Sequence, residues 1–401
     1  MTLHATRARH TRSRGLSLVE LMVALVVGLL LMAGTISIFL SNKRTYEITD
    51  DLSRLQENAR FALETMLRDL RMAGNLGCGQ RSVNLTTEVA VPSDGILWDL
   101  TTNLEGLDDG ATAWSPSGRA TSADNNVSGL RDVPVAPLAG TDAITLRYGA
   151  GPGLVMTAGQ SVSGATIPVD TSDDAGDRTD DDAGAEHAAL QQAQLAVLTD
   201  CGGMSLFQLS AVQAAAVVSS AGFSRPFERS ATGPMYPRVM PVRAVRYFVG
   251  DGAIAIADEA TRCRDDRGQP VPALYRTTLT TTHPEPVVCG VENMQILYGV
   301  DNDGDEQPNL YARASAVGNT VQWRNVVSVR LGLLLRTLDE YGADPDPRPV
   351  KNILKGGGFD TLEGCETDAG GADRGCVTVA DPNLRVRRRV FSTTVFLRNR
   401  I

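Results

Sequence analysis

The pattern of polar and apolar residues divides the N-terminal part of the chain into distinct segments. Residues 1–15 contain four arginines and no acidic residue, and the run from Leu21 to Leu40 is uncharged throughout. As a helix rising ~1.5 Å per residue, this run extends about 30 Å, the thickness of the hydrocarbon layer of a bilayer. We therefore predict one membrane-spanning helix, and the preceding positive charges place its N-terminus in the cytoplasm and the rest of the chain outside it.

The segment after the apolar run predicts an amphipathic helix. Its apolar residues recur at three- and four-residue steps between charged residues. They are Leu52, Leu55, Ala59, Ala62, Met66 and Leu70. Because no proline interrupts residues 17–73, we expect a single helix of about 85 Å that ends near Gly74. A coiled-coil dimer stalk is the alternative interpretation.

The remainder of the chain shows short runs in which apolar residues alternate with others, which predicts half-buried strands. The alternating residues are Ile144, Leu146 and Tyr148; Val242, Val245, Tyr247 and Val249; Val327, Val329, Leu331, Leu333 and Leu335; and Val390 and Val395. An antiparallel sheet packed on the exposed half of the long helix would bury both apolar surfaces. The fold class is therefore α+β, with the head in residues 75–401.

Residues 149–190 are rich in Gly, Ser, Thr and Asp, and their most acidic part is DTSDDAGDRTDDD at 170–182. This composition predicts a solvated acidic loop. A divalent cation or a receptor is one possible ligand, and an acidic insert without a fixed ligand is the other interpretation.

Composition and charge exclude several classes of protein. Apolar residues make up 42% of the chain but only one span is present, which excludes a polytopic transporter. The 38 lysines and arginines against 47 acids give a net charge of −9, so nucleic acid is not an expected direct partner. One basic cluster is interpreted as a solvated strand edge rather than as a DNA-binding surface; it consists of Arg385, Arg387, Arg388 and Arg389. The sequence contains no GxSxG, HExxH or Walker motif, so no enzyme is predicted.

Six cysteines in an exported domain are expected to form disulfides. Proximity in the sequence favours Cys263–Cys289 and Cys365–Cys376, which leaves Cys78 to pair with Cys201. Free buried thiols are the alternative. No pairing is fixed by the sequence alone.

The segment Asp301-Asn302-Asp303-Gly304-Asp305 is the best candidate metal site. Acids at alternate positions of a tight turn can direct the carboxylates of Asp301, Asp303 and Asp305 at one Ca²⁺ ion, with Asn309 assisting. Glu306 stands where an EF-hand loop has glycine. An ordinary turn between two strands is the competing interpretation.

The start of the apolar run carries a recognisable motif. A carboxylate just inside an apolar helix is costly, so Glu20 suggests a partner or a function. The segment Gly15-Leu16-Ser17-Leu18-Val19-Glu20, followed by the apolar run, resembles the class III signal of type IV pilins and type II secretion pseudopilins. The alternative is an ordinary secretory signal cleaved after the run.

The resemblance implies how the chain is processed and assembled. A prepilin peptidase would cut between Gly15 and Leu16 and methylate the new amine of Leu16. The leader is then 1–15, the transmembrane and assembly helix 16–41 and the amphipathic stalk 42–74. Glu20 would serve subunit assembly by pairing with the α-amine of a neighbouring subunit, which fixes axial register.

Further segments resemble the PilW family of type IV pilus minor pilins. They are Arg54 to Glu64 with Asp69 to Gly74 and Cys78, Val291 to Gln295 with Tyr298 to Asp301, and Arg388 to Val395 with Leu397 to Asn399. The resemblance implies a type IV pilin-like fold and a minor pilin without catalytic activity. Such a protein is held in the inner membrane with its head in the periplasm, and then enters the pilus on the cell surface.

By the same resemblance, minor pilins form a priming or tip complex with one another, on which major pilin polymerises for adhesion, twitching motility or DNA uptake. The partners implied are the prepilin peptidase, other minor pilins, major pilin and the pilus assembly platform. A minor pseudopilin of type II secretion is the nearest alternative, and a membrane-anchored periplasmic hydrolase is a more distant one.

Overall fold

The computed structural model describes most of the chain from Ser17 onwards and divides it into two compact units between Arg54 and Leu55. The described residues are 17–77, 84–88, 100, 102–108, 115, 137–170, 180–200, 202–230, 236–254, 256, 258–279, 281, 283–317, 323–340, 366–367, 373–374 and 385–399. All structural statements below refer to these residues.

One helix, α1 (Leu18–Met72), carries both the apolar run and the amphipathic segment, as the sequence predicts. The helix ends at Met72, and two residues later Gly74 has a φ of +77°, in the left-handed region. Glycine is required there for a second reason, because a Cβ atom would lie 2.4 Å from the Asn399 carbonyl oxygen. Gly74 N–H donates to the carbonyl of Arg147, so the chain leaves α1 directly beside the sheet.

The first unit contains the apolar part of α1, which is long and apolar enough to cross a membrane. No part of this apolar segment is buried inside the chain. The large apolar side chains between Leu18 and Leu40 are between 48% and 75% exposed. A surface this apolar is stable in lipid or against other apolar helices, and unstable in water.

The second unit contains all the described strands and two further helices, α2 (Asp180–Gln192) and α3 (Ala314–Val317). Its first strands are β1 (Asn84–Thr87), β2 (Leu104–Leu107), β3 (Ala143–Gly149), β4 (Leu154–Val155), β5 (Ser161–Val162), β6 (Thr166–Pro168), β7 (Leu195–Asp200), β8 (Gly203–Gln213), β9 (Ala216–Ser219) and β10 (Phe227–Glu228). The later strands are β11 (Arg238–Gly250), β12 (Ala273–Thr278), β13 (Glu285–Cys289), β14 (Val291–Val300), β15 (Leu310–Ala312), β16 (Val326–Arg336), β17 (Glu366–Thr367), β18 (Asp373–Arg374) and β19 (Arg388–Phe396). A 3₁₀ turn lies at Glu259–Thr261.

Two sheets form the framework of the head. The larger has eleven strands, with β13-β12-β11-β7-β8-β9-β6 as its main path and β1, β2, β3 and β4 paired at its sides. The smaller has the order β15-β14-β16-β19. All pairs are antiparallel except β1 with β8, which are parallel. Short pairs β10-β5 and β17-β18 complete the described strands. The α+β, pilin-like fold predicted from the sequence is confirmed.

The main core lies where the second half of α1 meets both sheets. The apolar stripe of α1 supplies Leu55, Ala59, Ala62, Met66 and Leu70, all at most 3% exposed. These side chains join residues of β3, β11, β14 and β16 in one cluster. The predicted helix face is therefore the buried one, apart from Leu52, which lies in the other unit and is only partly buried.

The prediction of half-buried strands is only half right. The alternating residues Ile144, Leu146 and Tyr148 of β3 do face α1, but the other side chains of β3 are also buried. The same holds for β16, all eleven residues of which are buried. A second cluster, which includes Ala143, Ala244 and Phe248, covers the face that the alternation predicted to be solvated. Alternation therefore identified the direction of these side chains and not their environment.

The predicted acidic loop at 149–190 is wrong for the described part of that range. Residues 149–170 form β4, β5 and β6, and residues 180–190 belong to α2, whereas 171–179 lie outside the described residues. Apolar residues scattered between the polar ones build a third core. They are Leu154, Met156, Val162, Ile167, Val169 and Leu190. Average composition concealed them because they stand singly or in short groups within a segment rich in Gly, Ser, Thr and Asp.

Candidate functional sites on the helix and the head

The start of α1 shows one of the two hydrogen bonds of a capping box, between Ser17 and Glu20. Ser17 directly precedes the first helical residue, and its backbone N–H donates to Oε2 of Glu20 at 3.4 Å. Glutamate at the third helical position commonly satisfies this otherwise unpaired donor, and its charge suits the positive end of the helix dipole. Glu20 is exposed, so its carboxylate is accessible to a further partner. Gly15 and Leu16, the predicted processing and methylation residues, lie outside the described residues.

The other end of α1 is fastened to the head by Asp69. The Tyr148 hydroxyl on β3 donates to Oδ1 of Asp69 at 2.8 Å, and the Tyr247 hydroxyl on β11 donates to Oδ2 at 2.6 Å. One carboxylate therefore accepts a hydrogen bond from each of two neighbouring strands. Burial, and secondly the charge of Asp69, raise the pKa of both tyrosines well above the usual value. We call this arrangement the Asp69 clamp.

The Asp69 clamp was not predicted from the sequence, although one signal was present. Asp69 lies three residues after Met66 and seven after Ala62, so helical periodicity places it beside the apolar stripe. A charged residue at such a position needs a partner. The partners are 79 and 178 residues away in the chain, and only the fold identifies them.

A buried ion pair lies on the opposite face of β3. Arg147 Nη2 is 3.0 Å from Oε1 of Glu105 on β2, and both side chains are 0% exposed. The other terminal nitrogen of Arg147 donates to the carbonyl and hydroxyl oxygens of Thr102, each at 3.1 Å. These contacts explain how a polar face of β3 can be buried.

The basic cluster near the C-terminus is divided by the fold. Arg388 forms two hydrogen bonds with the carboxylate of Glu292, at 2.6 and 3.1 Å, and Arg336 Nη1 lies 3.8 Å from the same carboxylate. The side chain of Arg388 is only 6% exposed, whereas Arg389 and Arg385 are exposed. The interpretation as a solvated edge is therefore wrong for Arg388, because Glu292 holds it inside the sheet.

The three acids of the candidate metal site do converge. Each of Asp301, Asp303 and Asp305 can offer one carboxylate oxygen, and these oxygens lie within 4.8 Å of one another. Asp301 is buried and the other two are exposed. The carboxylate of Asp301 also accepts backbone N–H groups, from Gly304 at 2.6 Å and Glu306 at 3.0 Å. The hydrogen bond from Gly304 is the main cause of a lowered pKa of Asp301.

Other features of this loop fit a turn as well as a cation site. Glu306 adopts a φ of 68°, the left-handed conformation for which the EF-hand comparison requires glycine. Asn309 does not direct its oxygen at the acids: its Nδ2 donates to Oδ2 of Asp303 at 3.0 Å, and its Oδ1 accepts the Asn302 N–H at 2.5 Å. Calcium binding by Asp301, Asp303 and Asp305 stays a prediction.

One predicted disulfide is present in the described part of the chain. Cys263 and Cys289 are bonded and close a loop with a sequence separation of 26 residues. Cys289 is the last residue of β13, so the bridge fastens the irregular segment before β12 to the edge of the larger sheet. Cys78, Cys201, Cys365 and Cys376 lie outside the described residues, and their pairing stays a prediction.

Two family models match this chain. The first, the prokaryotic N-terminal methylation motif, covers residues 10–36, which include Gly15, Glu20 and the apolar start of α1. The second, described as type IV pilus-assembly protein W, covers residues 246–399, from β11 to the end of the smaller sheet. Together these matches support a type IV pilus-related pilin that carries a PilW domain at 246–399. No curated protein and no solved structure matches it significantly.

The matches give the sites of this PilW-domain pilin a cellular setting. The methylation motif and the apolar helix fit a single-pass anchor in the inner membrane, with the head in the periplasm. The motif also implies processing by a prepilin peptidase and a role in pilus assembly. Both family matches point to a structural, non-catalytic protein. The PilW match includes β14, β16 and β19, so the smaller sheet belongs to the family-specific part of the head.

Proposed function

We propose that this PilW-domain pilin is a minor pilin that initiates assembly of the type IV pilus, within a priming or tip complex made with other minor pilins. Adhesion, twitching motility or DNA uptake then depends on the filament that grows from this complex. The same chain would be a substrate of the prepilin peptidase and a partner of major pilin and the assembly platform.

The observation that carries the proposal is that both family models match the same chain, one at its N-terminal helix and one in its head. The methylation motif lies on the exposed apolar half of α1, and the other half of α1 packs into the core that contains β14 and β16 of the PilW domain. A subunit built in this way can leave the lipid only by packing its apolar half against similar helices, because water would expose that surface.

In the proposal, Glu20 fixes the axial position of each helix relative to its neighbour in the bundle. Its carboxylate is exposed and lies at the first turn of α1, close to where the processed α-amine of Leu16 would begin the chain. A neighbouring subunit's amine can neutralise it in the bundle of helices. Because both charges leave water, the pair contributes specificity of position more than net stability.

N-terminal mass spectrometry of the membrane-extracted protein tests the processing step. We expect a mature chain that begins with N-methylated Leu16. A chain that retains residues 1–15, or one cleaved after the apolar run, contradicts the assignment of the class III signal.

Gene deletion tests the role in assembly. Deletion should abolish surface pili while major pilin remains in the membrane, and expression of the wild-type chain should restore pili. Glu20→Ala should fail to restore them, whereas Glu47→Ala, a matched change on an exposed residue of α1 beyond the apolar run, should succeed. Normal piliation in the deletion strain refutes an essential priming role, and a defect in protein secretion with normal pili indicates a pseudopilin.

A further inference from the structure

The last strand of the smaller sheet has one side without a neighbour in the described part of the chain. β19 pairs with β16 through nine consecutive residue pairs, from Arg388 with Arg336 to Phe396 with Ser328, without a register shift. It is the terminal strand in the order β15-β14-β16-β19. A long, regular terminal strand is a template on which another strand can form hydrogen bonds.

The backbone hydrogen bonds show which residues of β19 point outwards. Thr337 N–H donates to the Arg387 carbonyl and Leu397 N–H donates to the Val327 carbonyl, each at 2.9 Å. Successive residues of an antiparallel strand alternate between the two sides, so the odd-numbered residues of β19 bond to β16. The even-numbered residues direct their N–H and C=O groups away from it. These include Val390, Ser392, Thr394 and Phe396.

The side chains of the same residues are exposed. Val390 is 41% and Phe396 56% exposed, while Phe391 and Val395 on the opposite face pack against the main core. The outward edge of β19 therefore combines backbone groups that no described strand pairs with two accessible apolar side chains. Exposed apolar residues beside an open edge are typical of interaction sites rather than of solvent-facing strands.

The features that usually block such an edge are missing from the stretch Val390–Phe396. Proteins protect terminal strands with proline, bulges, charges or short length. The opposite end of the smaller sheet has a strand of only three residues, and β13 of the larger sheet contains Pro286 and pairs with a register shift. Val390–Phe396 has no charge, proline or glycine. Arg388 cannot protect the edge fully, because Glu292 binds it inside the sheet.

We propose that the free edge of β19 receives an extended strand from a different pilin subunit, which continues the smaller sheet. This inference rests on the proposed function and adds to it the surface through which subunits recognise one another. Strand addition of this kind draws affinity from backbone hydrogen bonds and specificity from alternate side chains. The incoming strand has apolar residues that meet Val390 and Phe396.

Charge distinguishes a different subunit from a second copy of this chain. Exposed arginines, Arg389 and Arg398, flank the uncharged stretch, so the incoming strand carries an acidic residue near each end. A second β19 strand instead has the exposed arginines Arg389 and Arg398 near its two ends, so it does not supply these acids.

Photo-crosslinking of the full chain in cells that assemble pili tests this proposal. p-Benzoylphenylalanine is placed at position 392 in place of Ser392, and adducts are identified by mass spectrometry. We expect an adduct with another protein that itself carries an N-terminal methylation motif, through an extended segment of its head. The same probe in place of the exposed Gln213, at the end of β8, should give at least ten-fold less of this adduct. An adduct within the chain, an adduct with a second copy, or no adduct overturns the proposal.

A pair of substitutions at Thr394 tests the backbone hydrogen bonds themselves. Its N–H points outwards, so proline there removes a donor from the free edge without removing a bond to β16. We expect Thr394→Pro to lower the yield of the adduct at least ten-fold, whereas Thr394→Ala, which keeps the N–H, should leave it within two-fold. If Thr394→Pro leaves the yield unchanged, strand addition at this edge is wrong.

Two measurements keep this test separate from folding and from the proposed function. If Thr394→Pro lowers the melting temperature, the variant Phe396→Ser is used instead of it. The Phe396 side chain is exposed, so its loss should reduce the yield of the adduct several-fold without unfolding the head. If the adduct with another pilin forms but cells lacking this chain still make pili, the priming role is refuted and strand addition is supported. Piliation that needs the chain but tolerates Thr394→Pro, with no adduct, refutes strand addition alone.

Discussion

The Asp69 clamp should contribute a large part of the attachment between α1 and the head. We predict that Asp69→Ala destabilises the protein strongly, because two phenol groups, those of Tyr148 and Tyr247, then lose their acceptor. Both tyrosines are at most 5% exposed, so their hydroxyl groups are poorly hydrated when the carboxylate is removed. Asp69→Asn keeps the shape of the side chain and removes its charge, so its effect should be smaller.

The magnitude follows from the two distances. Hydrogen bonds to a charged group contribute about 1.5–3 kcal/mol each. The bond from Tyr247 at 2.6 Å has the length expected for a charge-assisted hydroxyl–carboxylate bond, whereas the bond from Tyr148 at 2.8 Å has that of an ordinary hydroxyl bond. Asp69 is only half-buried, and its carboxylate is hydrated in the unfolded chain, which offsets part of this gain. We therefore take the lower part of the summed contribution of the two hydrogen bonds. Asp69→Ala should therefore lower the free energy of unfolding by about 3–4 kcal/mol, and Asp69→Asn by about 1.5–3 kcal/mol.

Urea unfolding of the full chain in detergent micelles, followed by tyrosine and tryptophan fluorescence, measures these values. Glu64→Ala is the control, because Glu64 lies on the exposed face of the same helix and is 60% exposed in its ion pair with Arg60. It should leave the midpoint close to that of wild type. A double-mutant cycle between Asp69→Asn and Tyr247→Phe should show coupling. An Asp69→Ala midpoint equal to that of the control refutes the clamp.

Three further predictions concern pH, metal and disulfide. The pKa of Tyr247 is raised in the folded protein, so above pH ~10 the unfolded chain releases this proton while the folded protein keeps it. The contribution of Tyr247 to the free energy of unfolding is therefore fully present below pH ~10 and falls by about 1.4 kcal/mol per pH unit above it. Tyr247→Phe should flatten this slope in urea unfolding at pH 9 to 11, and an unchanged slope contradicts the assignment. Calcium should raise the melting temperature of the wild-type chain but not that of Asp303→Asn, and calorimetry without heat of binding refutes the site. Replacing Cys263 and Cys289 by serine opens the loop with its separation of 26 residues and should cost about 3–4 kcal/mol; a double variant as stable as wild type contradicts this expectation.

The helix illustrates how far local pattern extends. Its span, its buried stripe and its end near Gly74 follow from residues within a few positions of one another. Helical hydrogen bonds join residues four apart, so the information is local. Glu20 is predicted to be an assembly site from its unfavourable position in an apolar run, and this stays a prediction; the structure adds only the hydrogen bond from Ser17.

The head shows where local pattern stops being sufficient. Period-two alternation gave the inward direction of Ile144 and Leu146, but could not show that a second layer covers the other face of β3. The prediction for 149–190 failed for the same reason, because isolated apolar residues become a core only when distant strands bring them together. Spacing in the sequence did suffice for Cys263 and Cys289, which are close enough for proximity to be informative.

By itself, the sequence determined the properties that depend on neighbouring residues: the membrane helix, the processing motif, the acidic balance and the convergence of Asp301 with Asp303 and Asp305. Only the tertiary structure decided which strand ends the smaller sheet, which tyrosines meet Asp69 and which arginine is buried against Glu292. These pairings join residues from 79 to 178 positions apart. They depend on strand order, which results from the packing of the whole head and leaves no periodic trace in the chain.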